Sequence, residues 1–263
     1  MFYQRKADEE RHLYFKRYTK TNYPGYDPLP HFHGSVEIFI VERGSYTIYT
    51  GGNETVLKEG DIAFIDRFTP HTSGVTELCE NLSVYVVVAS SKYFSSVDWL
   101  HEFTLNSFVS RSAGFDKILE VVKSVYSLSE ELDENGKCGF VTLLLGLLHS
   151  YMGERPRRNE KQSEMLIKIM RYIGESYAED ITLDSLSAKF GYEKTYISST
   201  LNKAINMNLR EYINRLRISE VKREVAKNPE EPLYIIAERC GYTSQNTFYR
   251  ALKRYGEEQK HNF

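Results

Sequence analysis

The sequence predicts an α+β protein: a β-rich N-terminal barrel with following helices, then an all-α domain of two helix-turn-helix units joined by a long helix. Three observations support this prediction. Short β-forming segments separated by glycines fill the first third, a helical pattern occurs twice in the last hundred residues, and a long helical segment separates the two copies. The length of 263 residues suits two domains. The predicted boundaries are residues 1–152, a linker at 153–162, and 163–263.

The first domain is predicted from closely spaced runs of β-branched and aromatic residues. Glycines punctuate these runs, and short strands with glycine turns indicate a small all-β barrel or sandwich. The candidate strands are Leu13–Tyr18, Val36–Val41, Ser45–Thr50, Thr55–Leu57, Asp61–Ile65 and Leu82–Ala89.

Beyond Ser90 the pattern becomes helical. Lys92–Leu105 is predicted as a short helix and loop, and Phe115–Leu132 and Cys138–Met152 as two longer helices. The last of these is apolar on nearly all sides, so it must be buried in its own domain or against a partner. Pairing with a second copy of the chain is the preferred interpretation, and packing onto the barrel is the alternative. The following polar segment, Gly153–Gln162, is the predicted linker.

The segment Ile235–Tyr255 reads as a helix, a tight turn at Gly241 and a second helix. The second helix places Phe248, Leu252 and Tyr255 on one face by their spacing of i, i+4 and i+7. Amides and a guanidinium on an exposed helical face suit the edges of bases in the major groove. The opposite face carries such side chains, namely Gln245, Asn246, Tyr249, Arg250 and Lys253.

An earlier segment, Leu183–Ile205, repeats this pattern, with one residue fewer in its second half. Gly191 stands where Gly241 stands in the later copy. A helix is predicted at Glu164–Tyr177, before the earlier copy. Thr182 is the predicted N-cap of the first helix of that copy, and Leu209–Lys227 is the predicted connecting helix. The chain therefore contains two helix-turn-helix units.

With these blocks in order, the sequence resembles the AraC/XylS transcription regulators over roughly Met165–Arg254. The resemblance rests on ITLDSLSAKFGY, EYINRLRISEVK and IIAERCGYTSQNTFYRALKR. It implies seven helices whose two reader helices enter successive major-groove segments about 34 Å apart. It also implies double-stranded DNA, a small-molecule effector, RNA polymerase and a second copy of the chain as partners.

The family's DNA-contacting positions can be transferred to this sequence. They give two reader helices that differ in their expected discrimination between bases. The first reader is neutral, and small hydroxyls discriminate weakly between bases, so the second reader is expected to supply more specificity. The base-contacting candidates are Thr195, Ser198 and Ser199 in the first reader, with Asn202 and Lys203 as nearby DNA-binding candidates, and Gln245, Asn246 and Arg250 in the second. The phosphate-contacting candidates are Lys194, Arg217, Lys253 and Arg254.

Two features depart from the family pattern. Glu224 stands in the connecting helix where the family places an apolar residue. After Tyr255 the sequence lacks the family's Gly-x-Thr/Ser-Pro stretch, so the closing helix is predicted to be absent or short. The shortened C-terminus and the neutral first reader leave open a regulator whose DNA-binding end is impaired, while Glu224 is expected to loosen one contact between the two halves.

The barrel region resembles the cupin fold. His31, His33, Glu37 and Gly44 match the spacing of its first motif, and Gly60-Asp61 and His71 match its second. In metal-binding cupins the three histidines and the glutamate would converge on iron, manganese, zinc or nickel. In regulators of this family the barrel is usually a sensor without metal. The prediction is thus an effector pocket with no cofactor, formed by His31, His33, Glu37, Tyr46 and His71. The alternative is a metal site formed by His31, His33, Glu37 and His71.

Charge and composition agree with a regulator. The net charge is −2, with the acidic excess in the N-terminal domain and a small basic excess in the last hundred residues, which fits DNA binding at one end. The chain has no apolar run that could span a bilayer and no apolar leader, and its three scattered cysteines suit a reducing cytoplasm. We therefore expect a cytoplasmic, DNA-binding activator that is not an enzyme; the rival is a metal-dependent cupin enzyme.

Overall fold

The computed structural model describes residues 13–23, 29–75, 79–94, 97, 100, 103–105, 107–109, 114–156 and 160–256. The N-terminal part is a β-sandwich closed into a barrel, with two helices on its outer face, and it confirms the predicted β-rich domain. Its strands are β1 (Leu13–Thr19), β2 (Val36–Arg43), β3 (Ser45–Thr50), β4 (Asn53–Lys58), β5 (Ile62–Ile65), β6 (His71–Gly74), β7 (Ser83–Ala89), β8 (Phe103–Leu105), β9 (Phe108–Val109) and β10 (Glu154–Pro156).

Two antiparallel sheets form the barrel, in the orders β1-β7-β2-β5-β9 and β4-β3-β6. Strand β2 is central and is buried on both faces, which explains its nearly continuous apolar sequence. Phe39 and Val41 face the second sheet, where they pack with Tyr46 and Ile48. The alternate positions, such as Ile38, face the helices.

Within the described residues, eight longer helices follow the main strands. The first two, α1 (Phe115–Ser127) and α2 (Glu134–Met152), pack on the outer face of the larger sheet. Asp133 accepts a hydrogen bond from the Gly136 amide and starts α2. The remaining helices are α3 (Glu160–Ser176), α4 (Leu183–Phe190), α5 (Lys194–Ile205), α6 (Leu209–Lys227), α7 (Leu233–Arg239) and α8 (Gln245–Tyr255). Among the described residues, no helix is long and apolar enough to cross a membrane.

Several predicted boundaries need correction. In the described part of Lys92–Leu105, predicted as a short helix and loop, Leu100 is helical, a 3₁₀ turn lies at Ser91–Tyr93, and the strand β8 was not predicted. The predicted linker includes β10, which pairs with β8, and the start of α3. The residues beyond Gly256, on which the prediction of a short or absent closing helix depends, lie outside the described part.

Helix α2, which is apolar on nearly all sides, has one face buried against the barrel and another face exposed. Phe140, Leu144 and Leu148 are buried against the barrel, as the alternative interpretation required. Leu143 lies on another face and remains 51% exposed. The pairing of two copies through that second face stays a prediction.

The two helix-turn-helix units have separate cores that share α6. Leu209, Tyr212 and Leu216 pack into the first unit, while Ile218 and Val221 pack into the second. The first unit's α4 starts with a capping box in which Thr182 and Ser185 exchange side-chain-to-backbone hydrogen bonds, so the predicted N-cap is confirmed. Glu224 is partly exposed and pairs with Lys227 and Arg223.

The barrel and the first helix-turn-helix unit share one hydrophobic core. Leu29 and Phe32, from the segment that precedes β2, are 0% and 1% exposed and belong to the same cluster as residues of α3 to α6. The Tyr212 hydroxyl of α6 donates a hydrogen bond of 3.3 Å to the Pro30 carbonyl. The barrel is therefore docked directly on the first unit.

Candidate functional site

Helix α8 presents the predicted polar face outward. Phe248, Ala251 and Tyr255 are buried in the second unit's core. The side chains on the opposite face are exposed, and these are Gln245, Asn246, Tyr249, Arg250, Lys253 and Arg254. A helix held by one apolar face, with amides and guanidinium groups on the other, can enter a major groove.

Helix α5 exposes the corresponding face in the first unit. Thr195, Ser199, Asn202 and Lys203 are exposed and Ser198 is half-buried. The Ser199 hydroxyl donates to the Tyr196 carbonyl at 3.1 Å, so it forms a local bond within the helix. The weak base discrimination expected of the first reader stays a prediction.

The sequence reasoning did not single out an aromatic pair beside the first reader. Tyr192 and Tyr196 are 37% and 41% exposed, and their ring centroids lie 6.0 Å apart. The sequence signal for this pair was its spacing of four residues, which places both side chains on the same side at the start of a helix.

Two predicted phosphate contacts have partners within the protein. Lys194 forms a 2.7 Å ion pair with Asp184, and this hydrogen bond raises the pKa of Lys194. Arg217 is half-buried, and its Nε and Nη2 each donate at 2.8 Å, to the carbonyls of Tyr177 and Glu179; its predicted phosphate contact stays a prediction. Because its guanidinium also lies 5.7 Å from the centre of the Tyr242 ring, Arg217 connects the two helix-turn-helix units.

The N-terminal candidate site brings four of its five predicted residues together. His31 and His71 are joined by two backbone hydrogen bonds of 2.9 Å, which tie the segment before β2 to the start of β6. Glu37 is the second residue of β2 and points into the same space. One ligand atom from each of His31, His33, Glu37 and His71 lies within 4.8 Å of all the others. His33, Glu37 and His71 are buried.

Hydrogen bonds orient each imidazole of this cluster. The Nδ1 atoms of His33 and His71 lie 2.9 and 2.8 Å from the carbonyl oxygens of Ser35 and Thr69. A carbonyl only accepts, so each Nδ1 carries a hydrogen. Both Nε2 atoms then face the same Glu37 oxygen, Oε2, at 3.1 and 2.8 Å. Each contact is favourable only if Nε2 carries a second hydrogen or a cation lies between the two atoms.

The electrostatics keep the carboxylate ionised and His31 neutral. Burial raises the pKa of Glu37, but the hydrogen bonds and charges of His33 and His71 outweigh this effect and hold that pKa far below its usual range. Burial, followed by the neighbouring His71 and His33, lowers the pKa of His31 to about 3. The His31 ring also forms a hydrogen bond with the Leu29 backbone.

Tyr46 is buried in the barrel interior, and its predicted contact with an effector stays a prediction. Its ring stacks on Phe39 in the barrel interior, with centroids 5.3 Å apart, and its hydroxyl lies 3.4 Å from the Ser73 hydroxyl. Burial raises its pKa well above the usual range, so it stays a neutral core residue.

Comparisons with known proteins agree with both halves of the structure. Residues 186–258 match the helix-turn-helix domain family and residues 21–87 match the cupin domain family. The HTH-type transcriptional activator RhaS of Citrobacter koseri is 23% identical over 85% of this chain and 83% of its own length. The multiple antibiotic resistance protein MarA of Escherichia coli K12 is 27% identical over 36% of this chain and 74% of its own length.

A solved structure supports the same architecture for the whole chain. ToxT from Vibrio cholerae O395 superposes with a TM-score of 0.54 at 13% identity, covering 93% of this chain and 94% of its own. At that identity the likeness concerns the fold alone. The double helix-turn-helix, the two matched domain families and the RhaS relatives support an AraC/XylS-type DNA-binding transcription regulator with a cupin-type N-terminal domain.

Proposed function

We propose that this regulator is an activator that binds two successive major-groove segments of one DNA face and responds to a ligand in its N-terminal domain. The observation that carries the proposal is the pair of exposed reader faces, on α5 and α8, in two units built on one helix. Activation is proposed because the RhaS relatives are named transcriptional activators.

The helix α6 supports a fixed spacing between the two readers. It has 19 residues, so it is about 28 Å long at the usual rise per residue. That length is close to the roughly 34 Å of one DNA turn. Arg217, which binds carbonyls of the first unit and lies over Tyr242 of the second, stiffens the connection further.

The two readers should contribute unequally. Gln245, Asn246 and Arg250 are the residue types that recognise adenine and guanine, whereas the first reader offers hydroxyls, one amide and one amine. Each bidentate contact of α8 would supply about 1–3 kcal/mol of discrimination against a wrong base. Lys253 and Arg254 are proposed to contact phosphate, which positions the protein without specifying sequence.

The proposed effector site is the cluster of His31, His33, Glu37 and His71. One ToxT structure contains a bound unsaturated fatty acid, which is a precedent for a ligand-binding neighbour of this fold. RNA polymerase and a second copy of the chain are the proposed protein partners, and the cytoplasm is the proposed location because the DNA target lies there.

Selection from a pool of randomised duplexes, at moderate salt and with the full chain, tests this function. We expect two short sequence boxes whose centres lie about one helical turn apart. Arg250→Ala should relax the preference at one base position and cost about 1–3 kcal/mol.

Lys253→Ala is the matched control on the same exposed face. It should weaken binding to all sequences alike. It should also reduce the slope of log affinity against log salt concentration by about one. Absence of any enriched sequence would contradict the proposed function, and a single enriched box would show that α5 contributes little.

A metal-dependent enzyme is the second candidate, because four donor atoms converge in a buried site of the barrel. It requires turnover of a small substrate that depends on added metal. His33→Ala would then abolish turnover and leave DNA affinity unchanged. We favour the non-enzymatic regulator because the segment that carries His31 and His33 is packed into the DNA-binding domain.

A further inference from the structure

Helix α8 carries one large exposed side chain to which the proposed function assigns no role. Tyr249 is 51% exposed and lies on the reader face of α8, among Gln245, Asn246, Arg250 and Lys253. We infer that the Tyr249 ring contacts the C5-methyl group of a thymine in the major groove, and that α8 thereby selects thymine at one position of its DNA site. The inference rests on the proposed function and adds an apolar contact to the polar contacts proposed there.

The helix geometry places Tyr249 at the centre of the reader face. Residues three and four apart in a helix are neighbours on its surface. Gln245 and Asn246 precede Tyr249 by four and three residues, and Lys253 follows it by four. The ring therefore lies between the two amides and the amine, and a DNA groove that those side chains enter also contains the ring.

Packing against the core supports the ring at this surface. Phe248, directly before Tyr249, is 1% exposed and belongs to the second unit's core. The centroids of the two rings lie 5.0 Å apart, and the rings are tilted by 52°. A tyrosine side chain has only two rotatable angles, so it offers a large contact area at a low entropic cost. Tyr249 thus presents a supported apolar surface to a partner.

The chemistry of the major groove defines what an exposed ring can recognise there. Among the four bases, thymine alone displays a methyl group in this groove, and the other bases are distinguished by hydrogen-bond donors and acceptors. Contact between the ring and that methyl group removes apolar surface of both from water, which is favourable. A thymine methyl group is therefore the feature that suits this side chain.

The neighbouring amides indicate where the thymine lies. Asn and Gln side chains suit adenine, with which they form bidentate pairs. The Cβ atoms of Asn246 and Tyr249, three residues apart in one helix, are expected about 5–6 Å apart. Successive bases of one strand are about 3.4 Å apart along the DNA axis. We therefore expect the thymine one or two base pairs from an adenine that Asn246 contacts.

The first reader has no counterpart of this ring. The internal repeat matches the buried Ile197 of α5 with the buried Phe248 of α8, so the positions that follow them are equivalent. That position is the half-buried Ser198 in α5 and the exposed Tyr249 in α8. We therefore expect a methyl-dependent thymine in the sequence box that α8 contacts, and none at the matching place in the box of α5.

Deoxyuridine tests the contact directly, because it differs from thymidine only by the missing methyl group. The full chain is measured on the selected duplex, and Arg250→Ala identifies the box that α8 contacts. Each thymine of that box is then replaced in turn. We expect one replacement to weaken binding about fourfold, as for the loss of one buried methyl-sized group. At the same position, 5-methylcytosine should bind more tightly than cytosine.

Two variants assign the effect to the Tyr249 ring. Tyr249→Phe removes only the hydroxyl and should keep the fourfold effect of deoxyuridine. Tyr249→Ser gives α8 the side chain that α5 has at this position, and the thymine and deoxyuridine duplexes should then bind alike. Tyr196→Ala is the matched control, because Tyr196 is a 41% exposed tyrosine on the other reader helix. It should leave the deoxyuridine effect in the α8 box unchanged.

The possible results separate this inference from the proposed function. Specific binding to an α8 box that lacks thymine, or that shows no deoxyuridine effect, would overturn the contact and leave the regulator intact. A deoxyuridine effect that persists in Tyr249→Ser would assign the methyl group to another side chain and overturn the contact as well. Equal losses of affinity in Tyr249→Phe and Tyr249→Ser would show that the hydroxyl, and not the ring, contacts DNA. Failure to bind any selected duplex would overturn the proposed function and this inference with it.

Discussion

Gly191 and Gly241 occupy the same place in the two helix-turn-helix units, yet they meet different surroundings. Both have positive φ, 73° and 92°. A Cβ on Gly191 would meet nothing within 4 Å, whereas a Cβ on Gly241 would lie 2.6 Å from the Ala178 carbonyl oxygen. The two turns therefore have similar sequences but different packing, because only the turn at Gly241 lies against the end of α3.

This difference predicts unequal costs of one substitution. Gly191→Ala should destabilise the protein by roughly 1–2 kcal/mol, from the left-handed backbone alone. Gly241→Ala should cost about 3 kcal/mol or more, because the methyl group must also displace backbone. Thermal unfolding of the two variants measures the difference, and equal losses would contradict the close approach to Ala178.

At the scale of elements, helix α2 has one apolar face that packs on the barrel and a second face that remains exposed. Its buried side is explained by the barrel, but Leu143 remains exposed and Gly139 and Gly146 border open space. A second copy of the chain is the partner that the family resemblance implies for this helix.

The pairing of two copies through α2 can be tested with one charge. Leu143→Glu should shift the chain from dimer to monomer, because a carboxylate would be buried in an apolar interface. Sedimentation over a range of concentrations measures the change. Leu128→Glu is the control, since Leu128 is also exposed but follows the end of α1. A wild-type chain that is monomeric at all concentrations would contradict the pairing.

For the whole molecule, the shared core predicts joint unfolding of the barrel and the first helix-turn-helix unit. Phe32→Ala should cost about 3–5 kcal/mol and lower the unfolding temperature of both parts, because Phe32 leaves the barrel to pack in the other domain. Differential scanning calorimetry of the full chain measures this. Phe248→Ala is the matched control in the second unit's core and should leave the barrel transition in place. Two independent transitions for the barrel and first unit in wild type would contradict the shared core.

Much of the fold was predictable because helical and strand periodicity are local. The bounds of α6 were predicted to the residue, and the turns at Gly191 and Gly241 follow from their residue types. Strand β8 and the pairing of β10 were missed, because short strands carry little pattern and depend on a partner distant in sequence. The backbone partners of Arg217 were missed for a similar reason, because only the packed structure brings two carbonyls to its guanidinium.

The sequence by itself determined the two helix-turn-helix units, the exposed reader face of α8, the β-rich N-terminal domain and the four residues of the His/Glu cluster. Spacing along the chain was sufficient for these, since each depends on residues close together or on a recognised motif. The tertiary structure decided that Tyr46 is a core residue and that Leu29, Phe32 and Phe68 enter the DNA-binding domain. Contacts between segments more than a hundred residues apart depend on which apolar surfaces can be buried together, and that is a property of the folded chain.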